Sequence, residues 1–165
     1  MPDADIAPLD VYVQPGESHL VREPAILRTV LGSCVGVTFW SPNLGVAALC
    51  HPMMPRQPRG RNTAMNIEAA RRYVDFAIRD LARQLDALGA VRADVEVKMF
   101  GGADVLPVTV GKHARPTIGK MNCEVAIEVL RAEGFHVAAA RIRGACGLSL
   151  QFHTATGAVL LRPLS

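Results

Sequence analysis

Aromatic residues are scarce in this chain, at 5% of its length. A core must therefore be packed from Val, Leu, Ile and Ala rather than from stacked rings. The same scarcity argues against a single-stranded nucleic-acid surface, which needs bases stacked on rings between basic side chains. Long apolar runs are also missing. The longest, Val35 to Trp40 and Val46 to Cys50, are strand-sized and far short of the roughly 20 residues that cross a bilayer, so no membrane insertion is expected. No two of the four cysteines, Cys34, Cys50, Cys123 and Cys146, form a CxxC pair, which disfavours a zinc site. Met1 to Asp10 carries acids and proline, where a secretory leader has a basic start and an apolar run. The expected location is the cytoplasm, where thiols stay reduced and a disulfide framework is a poor reading. Gly101-Gly102 has neither the spacing of a nucleotide loop nor a Gly-Lys-Ser/Thr sequence, so a close backbone approach near a functional site is the expected reading. There is no internal repeat.

The 165 residues suit a single domain spanning 1–165, with 1–9 as a flexible N-terminus. Half of them are hydrophobic and a fifth are charged, a globular balance. The net charge is +3, from 18 basic against 15 acidic residues, and the basic ones are dispersed. A mildly basic face favours an acidic protein partner over nucleic acid.

Short alternating segments dominate the first fifty residues. Asp10 to Gln14, Leu20 to Arg22, Ile26 to Leu31, Val35 to Trp40 and Val46 to Leu49 read as strands. Ser41-Pro42-Asn43 is a turn signal, so the last two form a hairpin. Asn66 to Leu88 reads as one helix capped by Asn66, with Ile67, Ala70, Val74, Ala77, Ile78, Leu81, Leu85 and Leu88 as its apolar stripe and Gly89 as its stop. Opposite charges at i,i+4 support it: Glu68 with Arg72, Arg71 with Asp75, Asp75 with Arg79. A second helix is expected over Cys123 to Glu133, with Ala126, Ile127 and Leu130 inward. Asp94 to Phe100, Val137 to Ile142, Leu148 to Phe152 and Ala158 to Leu161 complete the strands. Strands outnumber helices in an irregular order. The expected class is α+β, a layered α/β sandwich with mixed and antiparallel sheets and two main helices. Pro52 to Thr63, with three prolines and the arginines Arg56, Arg59 and Arg61, is expected to be a mobile surface loop.

Two short stretches carry chemistry. In Leu31-Gly32-Ser33-Cys34-Val35, glycine allows a tight bend that presents a thiol at the mouth of a strand. Backbone amides freed by such a bend, around Gly32, Ser33 and Cys34, are what an oxyanion hole uses. A free cysteine is more often a small buried hydrophobe, so the stretch alone does not decide. The second stretch is Cys50-His51-Pro52-Met53-Met54-Pro55. A cysteine nucleophile needs a neighbouring imidazole, and the hairpin folds His51 back to the level of Cys34. His19, His113, His136 and His153 show no ligand spacing.

Together these stretches resemble the signature of the CheD family of chemoreceptor glutamine deamidases. The resemblance extends through Arg72-Tyr73-Val74-Asp75-Phe76-Ala77-Ile78, Lys98-Met99-Phe100-Gly101-Gly102-Ala103, Ile118-Gly119 with Asn122, Glu133-Gly134-Phe135 and Thr156-Gly157. It implies a cysteine hydrolase with Cys34 as nucleophile, His51 as base and a threonine upstream of the cysteine, for which Thr29 is the match. It implies no cofactor and no metal. The partner it implies is the cytoplasmic region of a methyl-accepting chemoreceptor, with a CheC-type phosphatase as regulator. Arg56, Arg59 and Arg61, with Gly101 and Gly102, are expected to help dock that substrate. Arg141 to Leu148 departs from the family pattern, lacking its acid, its second adjacent glycine and its following arginine. That departure keeps two alternatives open: a non-catalytic chemotaxis adaptor, and a cysteine hydrolase acting on receptor methyl esters.

Overall fold

A computed structural model describes residues 7–59, 65–105 and 114–165. Among the described residues nine strands form two mixed sheets. One has the order β1-β3-β8-β9, from β1 (Leu9–Tyr12), β3 (Ala25–Leu31), β8 (Leu148–His153) and β9 (Ala158–Pro163). The other has the order β2-β5-β4-β6-β7, from β2 (Ser18–Val21), β5 (Val46–Cys50), β4 (Val35–Ser41), β6 (Glu96–Gly101) and β7 (Val137–Ile142). Parallel pairs occur at β1–β3 and β6–β7; the remaining pairs are antiparallel. β1 begins inside the stretch 1–9 expected to be flexible.

Period-two alternation sorts side chains between two cores. Val35, Val37 and Phe39 of β4, with Val97 and Met99 of β6, pack against α2 (Val74–Ala87) and α3 (Ile118–Ala132). Leu27 and Leu31 of β3, Ala47 and Leu49 of β5, Phe100, Leu150 and Phe152 fill the space between the sheets. The result is three layers: sheet, sheet, helices. Among the described residues no helix is long and apolar enough to cross a membrane.

The single helix expected over Asn66 to Leu88 is in fact two. Asn66 does cap, its Oδ1 accepting from the Ala69 amide at 2.7 Å. However, α1 (Ile67–Ala70) stops after one turn, and Tyr73 takes an extended conformation and bridges Met54. A tertiary backbone pairing thus overrides a continuous apolar stripe. The break re-sorts the expected charge pairs: Arg71 meets Asp80 at 3.0 Å, while Asp75 keeps Arg79 at 3.8 Å. Ile67 is left exposed. α3 starts five residues earlier than expected, capped by Thr117, whose Oγ1 accepts from Lys120 at 3.2 Å. Its buried stripe runs through Asn122, Cys123, Val125, Ala126, Val129 and Leu130, which leaves Ile127 at the border and exposed.

The start of the expected mobile loop is strapped down. Met53 and Met54 amides donate to the Arg72 carbonyl, Val74 to Met54, Asp75 to Pro55, and Gln57 to the Asp75 carboxylate. Gly60 to Ala64, including Arg61, lie outside the described residues, as does His113.

Candidate active site

β3 belongs to one sheet and β4 to the other, so Gly32-Ser33-Cys34 is the crossing between them. A three-residue crossing exhausts its own backbone geometry and needs outside partners. All three carbonyls find one. Gly32 O accepts from Ala103 N at 2.9 Å and Cys34 O from Gly102 N at 2.8 Å. Ser33 O accepts from Asn122 Nδ2 at 3.0 Å. Among the described residues the amides of Ser33 and Cys34 donate to no acceptor on another residue. The bend therefore has its acceptors tied inward and two donors spare, the arrangement an oxyanion requires.

The tight backbone approach at this bend falls on two other glycines. Gly32 has no positive φ, and a Cβ there would meet only Val105 methyls at 3.8 Å. Gly101 and Gly102 have φ of 93° and 61°. A Cβ at Gly101 would fall 2.3 Å from Cys34 O, and one at Gly102 would fall 2.1 Å from Cys123 Sγ and 2.9 Å from Gly119 O. Both glycines are buried, so they support the bend from beneath and offer no docking surface. Gly102→Ala is expected to lower stability by about 1–3 kcal/mol, since helix backbone cannot move aside, while Gly32→Ala stays within about 0.5 kcal/mol of the parent. Urea midpoints of the two variants measure this; equal midpoints would contradict it.

His51 stands one step beyond the Val37–Cys50 pair of the hairpin, level with Gly36. Cys50 points to the helices, so His51 points between the sheets, where Cys34 also packs. Both side chains therefore lie on the inter-sheet side of their strands. The His51 backbone is fixed to the β1–β2 turn, its carbonyl accepting from Gly16 and its amide donating to Glu17 O. The ring is 1% exposed. Its Nδ1 lies 2.6 Å from Thr29 Oγ1, which also donates to Val13 O at 2.8 Å. A hydroxyl has one proton, and a carbonyl can only accept it. Thr29 must then receive the Nδ1–H of His51, which leaves Nε2 bare as a base.

The two groups rest as a neutral pair. Burial pushes the Cys34 thiol above its ordinary value, against a smaller pull from its own backbone amide. Burial lowers His51 to about 4, with the Val13 carbonyl opposing. Alkylation of Cys34 by a small neutral reagent is therefore expected to rise with pH and to level off only above the ordinary thiol value of 9.0. A plateau near neutrality would mean a preformed thiolate–imidazolium pair and would contradict this reading. The other thiols are placed differently: burial raises Cys50 to about 12 and Cys123 to about 11, and Cys146 is exposed.

Two supporting residues were given no role from the sequence. Asn122, 0% exposed on α3, donates to Ser33 O and Met53 O, both at 3.0 Å. Its Oδ1 is buried and meets no donor among the described residues. Arg143 holds a left-handed φ of 64° and grips both Asp104 oxygens, at 2.8 and 2.9 Å. That hydrogen bonding keeps the Asp104 carboxyl below its usual range. Asp104 also accepts from Thr117 at 2.5 Å, so the atypical Arg141–Leu148 stretch latches the residue after Ala103 to the start of α3. Of the three expected docking arginines, Arg59 is exposed and Arg56 pairs with Glu128 of α3.

Fold and site define a three-layer α+β protein with a half-buried thiol at the crossing between its sheets and a buried imidazole bonded to a hydroxyl in the layer between them. The chain belongs to the CheD family: the family model described as CheD chemotactic sensory transduction matches residues 53–163. A probable chemoreceptor glutamine deamidase CheD 2 of Geobacter sulfurreducens is 40% identical over 155 residues, covering 94% of this chain and 90% of the relative. A probable chemoreceptor glutamine deamidase CheD of Rhodospirillum rubrum is 36% identical, covering 93% of this chain and 81% of the relative. Among solved structures, YlmD from Geobacillus stearothermophilus shares the fold at a TM-score of 0.51 and 12% identity, over 78% of this chain and 51% of that one.

Proposed function

We propose that this chain deamidates glutamine side chains of chemoreceptors, with Cys34 as nucleophile. Thiol attack on the glutamine Cδ passes the thiol proton to His51 Nε2. The amide oxygen becomes an oxyanion facing the spare Ser33 and Cys34 amides. His51 returns the proton to nitrogen, because an amide anion is too basic to leave unaided, and ammonia departs. Water then attacks the thioester, again through His51, giving glutamate and the free thiol. Thr29 keeps Nδ1 protonated and the ring oriented. The observation that carries this reading is the bend at Cys34, whose carbonyls are tied and whose amides are spare, with the Thr29–His51 contact in the same inter-sheet layer.

Exposed Arg59, with Arg56 and Arg61 on the same segment after His51, supports steering towards an acidic receptor helix; the Glu128 pairing of Arg56 leaves Arg59 the larger share. The free state of all four cysteines fits a reducing compartment, and the cytoplasm is the location that goes with this reading. A CheC-type phosphatase as regulator rests on the family resemblance.

Mass spectrometry of a receptor cytoplasmic fragment incubated with the protein tests the function. Specific glutamine peptides should gain the mass difference between an amide and an acid, with stoichiometric ammonia. Binding without any mass change would make the chain an adaptor. Conversion of methyl-ester peptides with glutamine peptides untouched would make it an esterase.

A further inference from the structure

We propose that Asn122 is a positioning residue that builds the oxyanion hole, an inference that rests on Cys34 being the nucleophile. The Ser33 carbonyl and the Cys34 amide belong to one peptide plane, and in a trans peptide they point in opposite directions. No cis peptide interrupts the described chain. Holding the Ser33 carbonyl towards α3 therefore turns the Cys34 N–H away from α3 and leaves it free.

Of the three carbonyls in the crossing, Ser33 is the one held by a side chain; Gly32 and Cys34 are held by backbone amides of the β6 end. The second Nδ2 proton goes to Met53 O, two residues after His51. One buried amide thus ties the nucleophile's bend to the segment that follows the base. The amide orientation is fixed, because exchanging its ends would set Oδ1 against two carbonyl oxygens. Its Oδ1 is buried and meets no donor among the described residues.

The test compares Asn122→Ala, and Asn122→Ser as a variant that keeps one donor, with the parent enzyme at a temperature where circular dichroism shows all three folded. Three readouts are needed: kcat and KM for a receptor peptide, the rate of Cys34 alkylation by iodoacetamide, and affinity for a peptide aldehyde. The aldehyde adds to Cys34 and places an oxyanion in the same hole, whereas alkylation creates none. The expected result is a fall in kcat of about 10²-fold for Asn122→Ala, unchanged KM, unchanged alkylation and a matching loss of aldehyde affinity. Asn122→Ser should fall between the two. Full kcat in Asn122→Ala would overturn the proposal. An equal loss of alkylation would also overturn it, because the amide would then only hold the bend in shape. Activity in Cys34→Ala would instead refute the nucleophile assignment, whatever Asn122 does.

Discussion

Cys34→Ala is expected to abolish glutamine deamidation, by about 10⁴-fold or more, while the protein still folds. The reaction as drawn has no route around the thioester, so removing sulfur removes the path and not merely a rate factor. Folding survives because the side chain is only half-buried and packs at the edge of the inter-sheet core. Alanine there costs about 1 kcal/mol. Cys146→Ala, on an exposed loop, should behave as the parent, and Cys123→Ala should lose stability but not chemistry. Ammonia release from a receptor fragment measures the effect. Substantial turnover by folded Cys34→Ala would sink the mechanism.

His51→Asn should produce the second largest loss, about 10³–10⁴-fold in kcat. The resting pair is neutral, so the thiol depends on Nε2 to accept its proton during attack. The same substitution should change acid stability. His51 has a folded pKa of about 4 against an ordinary 6.5. The unfolded chain therefore takes up a proton before the folded one does. The stability tied to a neutral buried ring is complete above pH 6.5 and is lost as pH falls towards 4, an effect of about 3 kcal/mol. Urea midpoints across that range should fall for the parent and fall less for His51→Asn. Thr29→Ala should show a smaller loss of kcat than His51→Asn, and Thr29→Ser should restore most of it, because serine keeps the hydroxyl that receives Nδ1–H. A parent curve that is flat between pH 6.5 and 4 would contradict the buried neutral ring.

The hairpin was legible because strand alternation and a Ser-Pro-Asn turn are local signals, and the hairpin alone returns His51 to the level of Gly36, two residues after Cys34. Thr29 was legible only by resemblance; nothing local says that its hydroxyl reaches an imidazole 22 residues away. The helix break at Tyr73 was hidden, because its cause is a backbone bridge to Met54 and every side chain around it continues the helical pattern. Asn122 left no trace in spacing, since its partners are backbone carbonyls 89 and 69 residues distant. A polar residue inside an otherwise apolar helical stripe was the available signal. The steric demand at the bend was hidden for a similar reason. Gly32 stands beside Cys34 in sequence, but the tight approach falls on Gly101 and Gly102, which reach the bend from another strand. The atypical Arg141–Leu148 stretch acquires its meaning from Asp104, a residue no local pattern connects to it.

Covalent catalysis through Cys34 is read most directly by quenching the enzyme in acid during turnover of a receptor peptide and locating the acyl group by digestion and mass spectrometry. The predicted result is a receptor glutamyl group on the Cys34 peptide, released by hydroxylamine as a thioester would be and accumulating when the pH is dropped to slow hydrolysis. An acyl group on any other residue, or full deamidation with no acyl-enzyme at any quench time, would contradict it.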